Sequence, residues 1–345
     1  MIAARSACRL LWEVLRLALG LAAPQPFAVG GADAAEQRLV LAVPGIPPIF
    51  LSVLPYVADR EGFFGKYGLS VEIKPFDTGA NAARAVLAGQ IDAAMATTPI
   101  VIAMDSNANA SLVGIYGLET PDWLIGSTDP KIAACADLKG TNVGVDAVAA
   151  SRAIALRQML QVCNLSLADV TLVGLGSNVG AAMIAGQLKV GVLHLDDIPT
   201  IERELGHPLT IVMRFQDARP LDHINMLVVR ADKLEANRDA YVRLLAGLID
   251  ANRFLRDPEN RDAVAAIATV TGRSEEDIKA TLPGFIELDY WPSGSAGLSR
   301  DHVQAVIDSE VAIGEIKPGV TPVAYEELVD ATLWNDARAM VESHR

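Results

Sequence analysis

Basic residues are in short supply. The 345-residue chain sets 29 lysines and arginines against 42 acids, a formal charge of −13, and no basic run interrupts the imbalance. That excludes nucleic acid as a partner, because its phosphates demand a cationic face. Aromatics are scarce too, at 5%, while 51% of the residues are hydrophobic and alanine is abundant. Such a composition suits an α/β protein whose helices pack through small side chains. Long hydrophobic runs are missing: a membrane-spanning helix needs about 20 apolar residues, and no stretch reaches that without a charge. Catalytic signatures are missing as well. There is no G-x-S-x-G, Walker loop, H-E-x-x-H or C-x-x-C, so an enzyme of those classes is not expected. His207, His223, His302 and His344 show no ligand spacing, and neither a metal nor a cofactor is expected.

What is present begins with Arg5, Arg9 and Arg16 ahead of "LALGLAAPQPFAVGGADA". A positive segment, an apolar core at residues 17–23 and small residues at Ala32-Asp33-Ala34 read as a signal peptide over residues 1–34. This predicts an exported, soluble protein in the periplasm. Cys8 lies too early and no cysteine stands at the end of the apolar core, so a lipid anchor is not indicated. Of the two later cysteines, Cys135 precedes "DLKGTNVGVD", a turn and then a strand, and Cys163 ends the helical "SRAIALRQMLQVC". A helix running back along its strand brings the two close. They are either a disulfide, which an oxidising compartment permits, or two separate buried thiols.

From Gln37 onward, strand-like and helical runs alternate. "RLVLAV", "LSVEIKPF", "IDAAMA" and "ASLVGIYGL" read as strands, with helices between them. After a connection around Trp123 to Asp129 the alternation restarts with "TNVGVD", "DVTLVGL", "KVGVLHL" and "LTIVMRF". Strands separated by helices imply βαβ units and mostly parallel sheets. Two such sets predict two similarly built lobes, with a second crossing at "DARPLDHIN" before "MLVVR" and helices from Ala231 on.

With these residues in view, the chain resembles the periplasmic substrate-binding proteins of ABC importers. The branch is the one with nitrate-, sulfonate- and taurine-binding proteins and binders of thiamine-pyrimidine precursors. The resemblance is carried by "PYVADREGFFGKYGLSVEI", "AVLAGQIDAAMATTP", "DLKGTNVGVD", "CNLSLADVTLVGL" and "VVRADKLEANRDAYVRLLAGLIDANRF", in that order. It implies the type II periplasmic binding protein fold: two α/β lobes joined by a two-segment hinge, with the helical C-terminal part on lobe 1. Lobe 1 is expected at residues 38–125 plus 226–345 and lobe 2 at 126–225. It also implies a monomer that captures a small-molecule solute between the lobes and hands it to an ABC permease in the inner membrane. One departure matters: "GQLKVGVLHLDDIP" has Lys189 where such proteins usually carry an acid. The ligand therefore stays open between a small organic anion and a nitrogen heterocycle. Two rivals remain, a pyrimidine-precursor synthase-like enzyme of intracellular type and a ligand-sensing partner of a membrane receptor.

Ligands of open α/β sheets gather beyond the carboxyl ends of the strands. In the first set these loops offer Pro47, Phe50, Asn81, Thr97 and Thr98. Phe50 covers an apolar ligand face or belongs to the core; the threonines hold a ligand oxygen or cap a helix. In the second set, the helix opening near Ser151 presents amides suited to an anion, with Arg152 as a fork or as a solvent-facing charge. Ser177 lies in the next loop. The "HLDD" run adds His194, Asp196 and Asp197 as contacts to a polar ligand, or as helix caps, and Trp123 adds an aromatic wall.

Overall fold

The computed structural model describes residues 37–118, 120–148 and 151–344; the expected leader at residues 1–34 lies outside them. The described strands are Gln37–Pro44 (β1), Leu69–Phe76 (β2), Ala93–Thr97 (β3), Leu112–Leu118 (β4), Leu124–Ser127 (β5), Asn142–Val145 (β6), Thr171–Gly174 (β7), Val190–Leu193 (β8), Thr210–Arg214 (β9) and Asn225–Arg230 (β10). They form two sheets of the same design, ordered β2-β1-β3-β10-β4 and β7-β6-β8-β5-β9. In each, three parallel strands are followed by one antiparallel strand that has just arrived from the other sheet. Thus β5 enters the second sheet after the first crossing, and β10 enters the first sheet after the second crossing.

The sequence pattern places a crossing at residues 123–129, and the structure shows how it is built. Leu124–Ser127 is a strand paired on both sides, with β8 and β9. Four residues are too few for periodicity to register. Their burial is nonetheless strand-like: Leu124 joins one hydrophobic cluster and Ile125 the cluster on the opposite face. Val192 and Leu193 of β8 divide in the same way. Alternate side chains leave opposite faces of a strand, so a sheet covered on both faces reads as a continuous apolar run.

Close approach over the second sheet depends on glycine. Gly144 of β6 and Gly191 of β8 are paired neighbours. A Cβ on Gly191 would lie 2.6 Å from Val179 Cγ1 and 2.9 Å from Met183 Sδ. The bare backbone therefore lets the Val179–Ile184 helix settle onto the strands.

The first sheet carries the larger core and most of the C-terminal helices. Helix Arg238–Arg256 buries 13 of its 19 residues, as an amphipathic helix does against a sheet layer. Its Gly247 leaves room for Phe64: a Cβ there would stand 2.5 Å from Phe64 Cδ1. Phe63 meets Phe254 edge-on at 5.7 Å. The Phe63-Phe64 pair is scaffold. Cys135 and Cys163 have Cα atoms 6.1 Å apart, within the range that a disulfide spans. No helix among the described residues is long and apolar enough to cross a membrane.

Candidate functional site

The strand-end loops of the first sheet divide into packing and lining. Phe50 takes the core alternative. It is buried, stacked on Phe285 at a centroid distance of 4.4 Å and next to Trp291, so its ring completes the core. Pro47 is exposed and lies beside Gly272. Asn81 is exposed; its backbone N–H donates to Thr78 Oγ1 at 3.2 Å, and its carbonyl accepts from Arg84 Nη1 at 2.8 Å. Thr98 is also held by packing. It is fully buried and its hydroxyl is bonded to His223 Nδ1 at 2.8 Å. His223 Nε2 must donate to the Gly297 carbonyl, 2.7 Å away, so Thr98 is held within the scaffold. Thr97 precedes the Thr98–Ala108 helix without a side-chain cap bond, which leaves its hydroxyl for the cavity described below.

At the expected anion site of the second sheet, the polar groups have partners within the protein. Ser151 does open the Ser151–Val162 helix. However, the Asp146 carboxylate accepts from the Arg152 backbone N–H at 3.2 Å and from the Ala147 N–H at 2.9 Å. A carboxylate of the protein already occupies the position where helix amides would receive an anionic ligand. The Arg152 side chain is only 11% exposed. One guanidinium nitrogen donates to the Val192 carbonyl at 2.9 Å, and another stands 3.4 Å from Asp197. It is neither a free fork nor a solvent-facing charge. Ser177 lies in the short turn Gly176–Asn178 that follows β7.

The "HLDD" residues form a dense polar cluster. Asp197 accepts from the His194 backbone N–H at 2.9 Å, closing the turn Leu195–Asp197. Arg273, from the C-terminal part, donates to Asp196 at 2.9 Å and to Asp197 at 2.6 Å. The same junction is reinforced where Thr200 donates to Asp277 at 3.0 Å, Arg203 pairs with Asp277, and Thr281 donates to the Leu195 carbonyl at 3.0 Å. These carboxylates clamp the second sheet's loop to the helical tail. Of the two roles open to them, Asp197 takes that of a cap, and both carboxylates are engaged by Arg273.

His194 is held from both sides. Its Nδ1 faces the Asp122 carboxylate at 3.0 Å, and its Nε2 accepts from Trp123 Nε1–H at 3.0 Å. An indole can only donate, so the proton sits on Nδ1 and the ring is neutral in this arrangement. Burial disfavours the imidazolium, but Asp122 outweighs it and raises the pKa above the ordinary value. Asp196 is raised by burial and by the neighbouring Asp197. Asp197 is lowered: burial opposes its charge, but Arg152, His194 and Arg273 together overcome it. Asp122, His194 and Asp196 bring one donor atom each within 4.8 Å of one another. Both ring nitrogens of His194 and the Asp196 carboxylate are already engaged, so a cation would have to displace Arg273 and Trp123.

A cavity of about 320 Å³ lies beside this cluster, bounded by both crossing segments. Pro121 and Trp123 belong to the first crossing and Asp222 to Ile224 to the second. Thr97 lines it from the end of β3, Pro99 and Ile100 from the Thr98–Ala108 helix, Ile154 and Gln158 from the Ser151–Val162 helix, and Val306, Ser309, Glu310 and Ile313 from the Arg300–Ala312 helix and its end. Thr97 and Trp123 are thus brought together; Pro47 and Asn81 are not among the described lining residues. A wider, more open groove of about 580 Å³ runs past Arg203 and Glu202. Its charges are spent, Arg203 on Asp277 and Glu202 on the Leu209 N–H, so the smaller cavity is the better candidate.

Sequence reasoning missed Asp122, Arg273 and Glu310. Only the last left a signal. Val303, Val306, Ile307 and Glu310 follow helical spacing and all are buried, which places a carboxylate on an apolar stripe.

Comparison with known proteins follows the same lines. A family model described as NMT1/THI5 like matches residues 52–260. No curated protein sequence matches the chain. Solved structures do share its fold. The periplasmic nitrate-binding protein NrtA from Synechocystis PCC 6803 is 14% identical, with TM-score 0.68 and 89% of each chain covered. The periplasmic aliphatic sulphonate binding protein SsuA from Escherichia coli is 18% identical, with TM-score 0.63, covering 83% of this chain and 93% of that one. A ligand-binding component of an ABC-type import system from Staphylococcus aureus, with zinc bound, is 12% identical, with TM-score 0.65, covering 87% and 99%. The fold is that of a type II periplasmic binding protein.

Proposed function

Because the chain belongs to the NMT1/THI5-like family, we propose that it is an exported solute-binding protein that captures a small molecule between two lobes and delivers it to an ABC import permease. Lobe 1 comprises residues 38–125 plus 226–345 and lobe 2 residues 126–225; both turn about the crossings near Trp123 and Asp222. It works in the periplasm as a monomer, its leader removed and Cys135 bonded to Cys163. The observation that carries this reading is the solute-sized cavity bounded by both crossings and by helices that follow strands of each sheet, the placement in which hinge closure traps a ligand. Closure in periplasmic binding proteins is an established hinge motion, and it is ligand-dependent only through tighter binding to the closed state.

Between the two ligand classes, the nitrogen-bearing one is better supported. Asp146 fills the helix terminus and Arg152 is paired, which leaves no free cation at the expected anion site. Thr97 and Trp123 are the contacts retained from the strand ends, with Pro47, Asn81, Ser151 and Ser177 at the neighbouring loops. A thermal-shift screen of nitrogen heterocycles, amines and organic acids tests the reading. Saturable 1:1 binding of a compound recovered unchanged is expected. Chemical turnover of the bound compound, or silence across every class, would contradict it.

A further inference from the structure

Glu310 has no business in an apolar wall unless something answers its charge. It is 7% exposed, lines the 320 Å³ cavity, and makes no hydrogen bond or ion pair through its side chain with any described residue. Around it stand Ile100, Ile154, Val306 and Ile313, with Trp123 at one end. The other charged groups nearby are acids: Asp222, which spends one oxygen on the His223 backbone N–H at 2.9 Å, and the exposed Glu315. No lysine or arginine is among the lining residues. His223 faces the cavity with both ring nitrogens bonded, to Thr98 and to Gly297. Arg219 and His302 act on Asp222 from behind.

We propose that this cavity binds a small amphipathic organic cation, its ammonium group paired with Glu310 and its apolar body lying against Ile100, Ile154, Val306 and the Trp123 ring. The proposal rests on the reading of the chain as a solute-binding protein and names the chemical class of its cargo. An uncompensated carboxylate inside an apolar wall is costly, and a cationic ligand removes the cost at the moment of binding. Burial, with Glu315 and Asp222 adding repulsion, pushes the Glu310 carboxyl up to about 7. The site therefore gains affinity as pH rises through neutrality and Glu310 ionises.

The test is a calorimetric titration of the full protein with 2-phenylethylamine, 2-phenylethanol and phenylacetate. The amine is expected to bind at least tenfold more tightly than the alcohol, and phenylacetate not at all. Amine affinity is expected to rise between pH 6 and pH 8, with proton release in the lower half of that range. Glu310→Gln should cost the amine at least tenfold and leave the alcohol unchanged. Ile154→Trp, at a position 44% exposed, should block the cavity from the opposite wall without touching Glu310. Equal amine binding by wild type and Glu310→Gln, or no amine binding by a folded wild type, would overturn the inference. If another solute class then bound with 1:1 stoichiometry, the solute-binding reading would stand without it.

Discussion

His194 sits between a carboxylate that favours its charge and an indole that forbids it. Protonation turns Nε2 into a donor facing the Trp123 N–H, so one hydrogen bond must break. Since Asp122 holds the imidazole pKa above 6.5, acidification should release Trp123 with a midpoint above that value. Tryptophan emission against pH reads this directly, and the transition should vanish in His194→Gln. Glu310 gives a second pH signature, in stability. Its folded pKa of about 7 lies above the ordinary 4.5, so the folded state holds the extra proton between these values. Stability attributable to this group is fully present below about pH 4.5 and declines as pH rises through about 7. Glu310→Gln should remove that decline and stabilise the empty protein at pH 8 by at most roughly 3 kcal/mol. Denaturant melts at pH 5 and pH 8 supply the comparison, and equal gains at both would contradict the buried charge.

The elements show why some of this was legible and some was not. Strand and helix alternation, the crossings and the helical tail were readable because each long element repeats its own period. The four residues of β5 were not, since they complete no period and their pairing is made by strands far away in sequence. Site residues were harder still. Phe50, Thr98 and Arg152 occupy the expected loops, but their side chains are committed to Phe285, His223, Val192 and Asp197. A residue type and a position in a loop do not reveal which long-range partner will claim it. Asp122 and Arg273 gave no local signal because their partners are 72 and 77 residues away. Two element-scale consequences are measurable. Gly191→Ala would drive a methyl into Val179 and Met183 and should cost about 1–3 kcal/mol in a denaturant melt, as overpacking does. Arg273→Ala leaves Asp196 and Asp197 facing each other without their shared cation. It should cost about 2 kcal/mol and weaken ligand binding by loosening the junction of turn and tail.

At the scale of the whole molecule, the two sheets share one order and exchange one strand each. That exchange ties both crossings into the sheets. On the proposed hinge reading, bending falls on the short segments between β4 and β5 and between β9 and β10, and a cavity bounded by those same segments couples occupancy to closure. The radius of gyration in solution, measured by small-angle scattering with and without a saturating hit from the ligand screen, tests this most directly. The account predicts a smaller radius on saturation, reversed when the ligand is dialysed away, with the solute recovered unaltered. An unchanged radius at full occupancy, or a chemically converted solute, would contradict it.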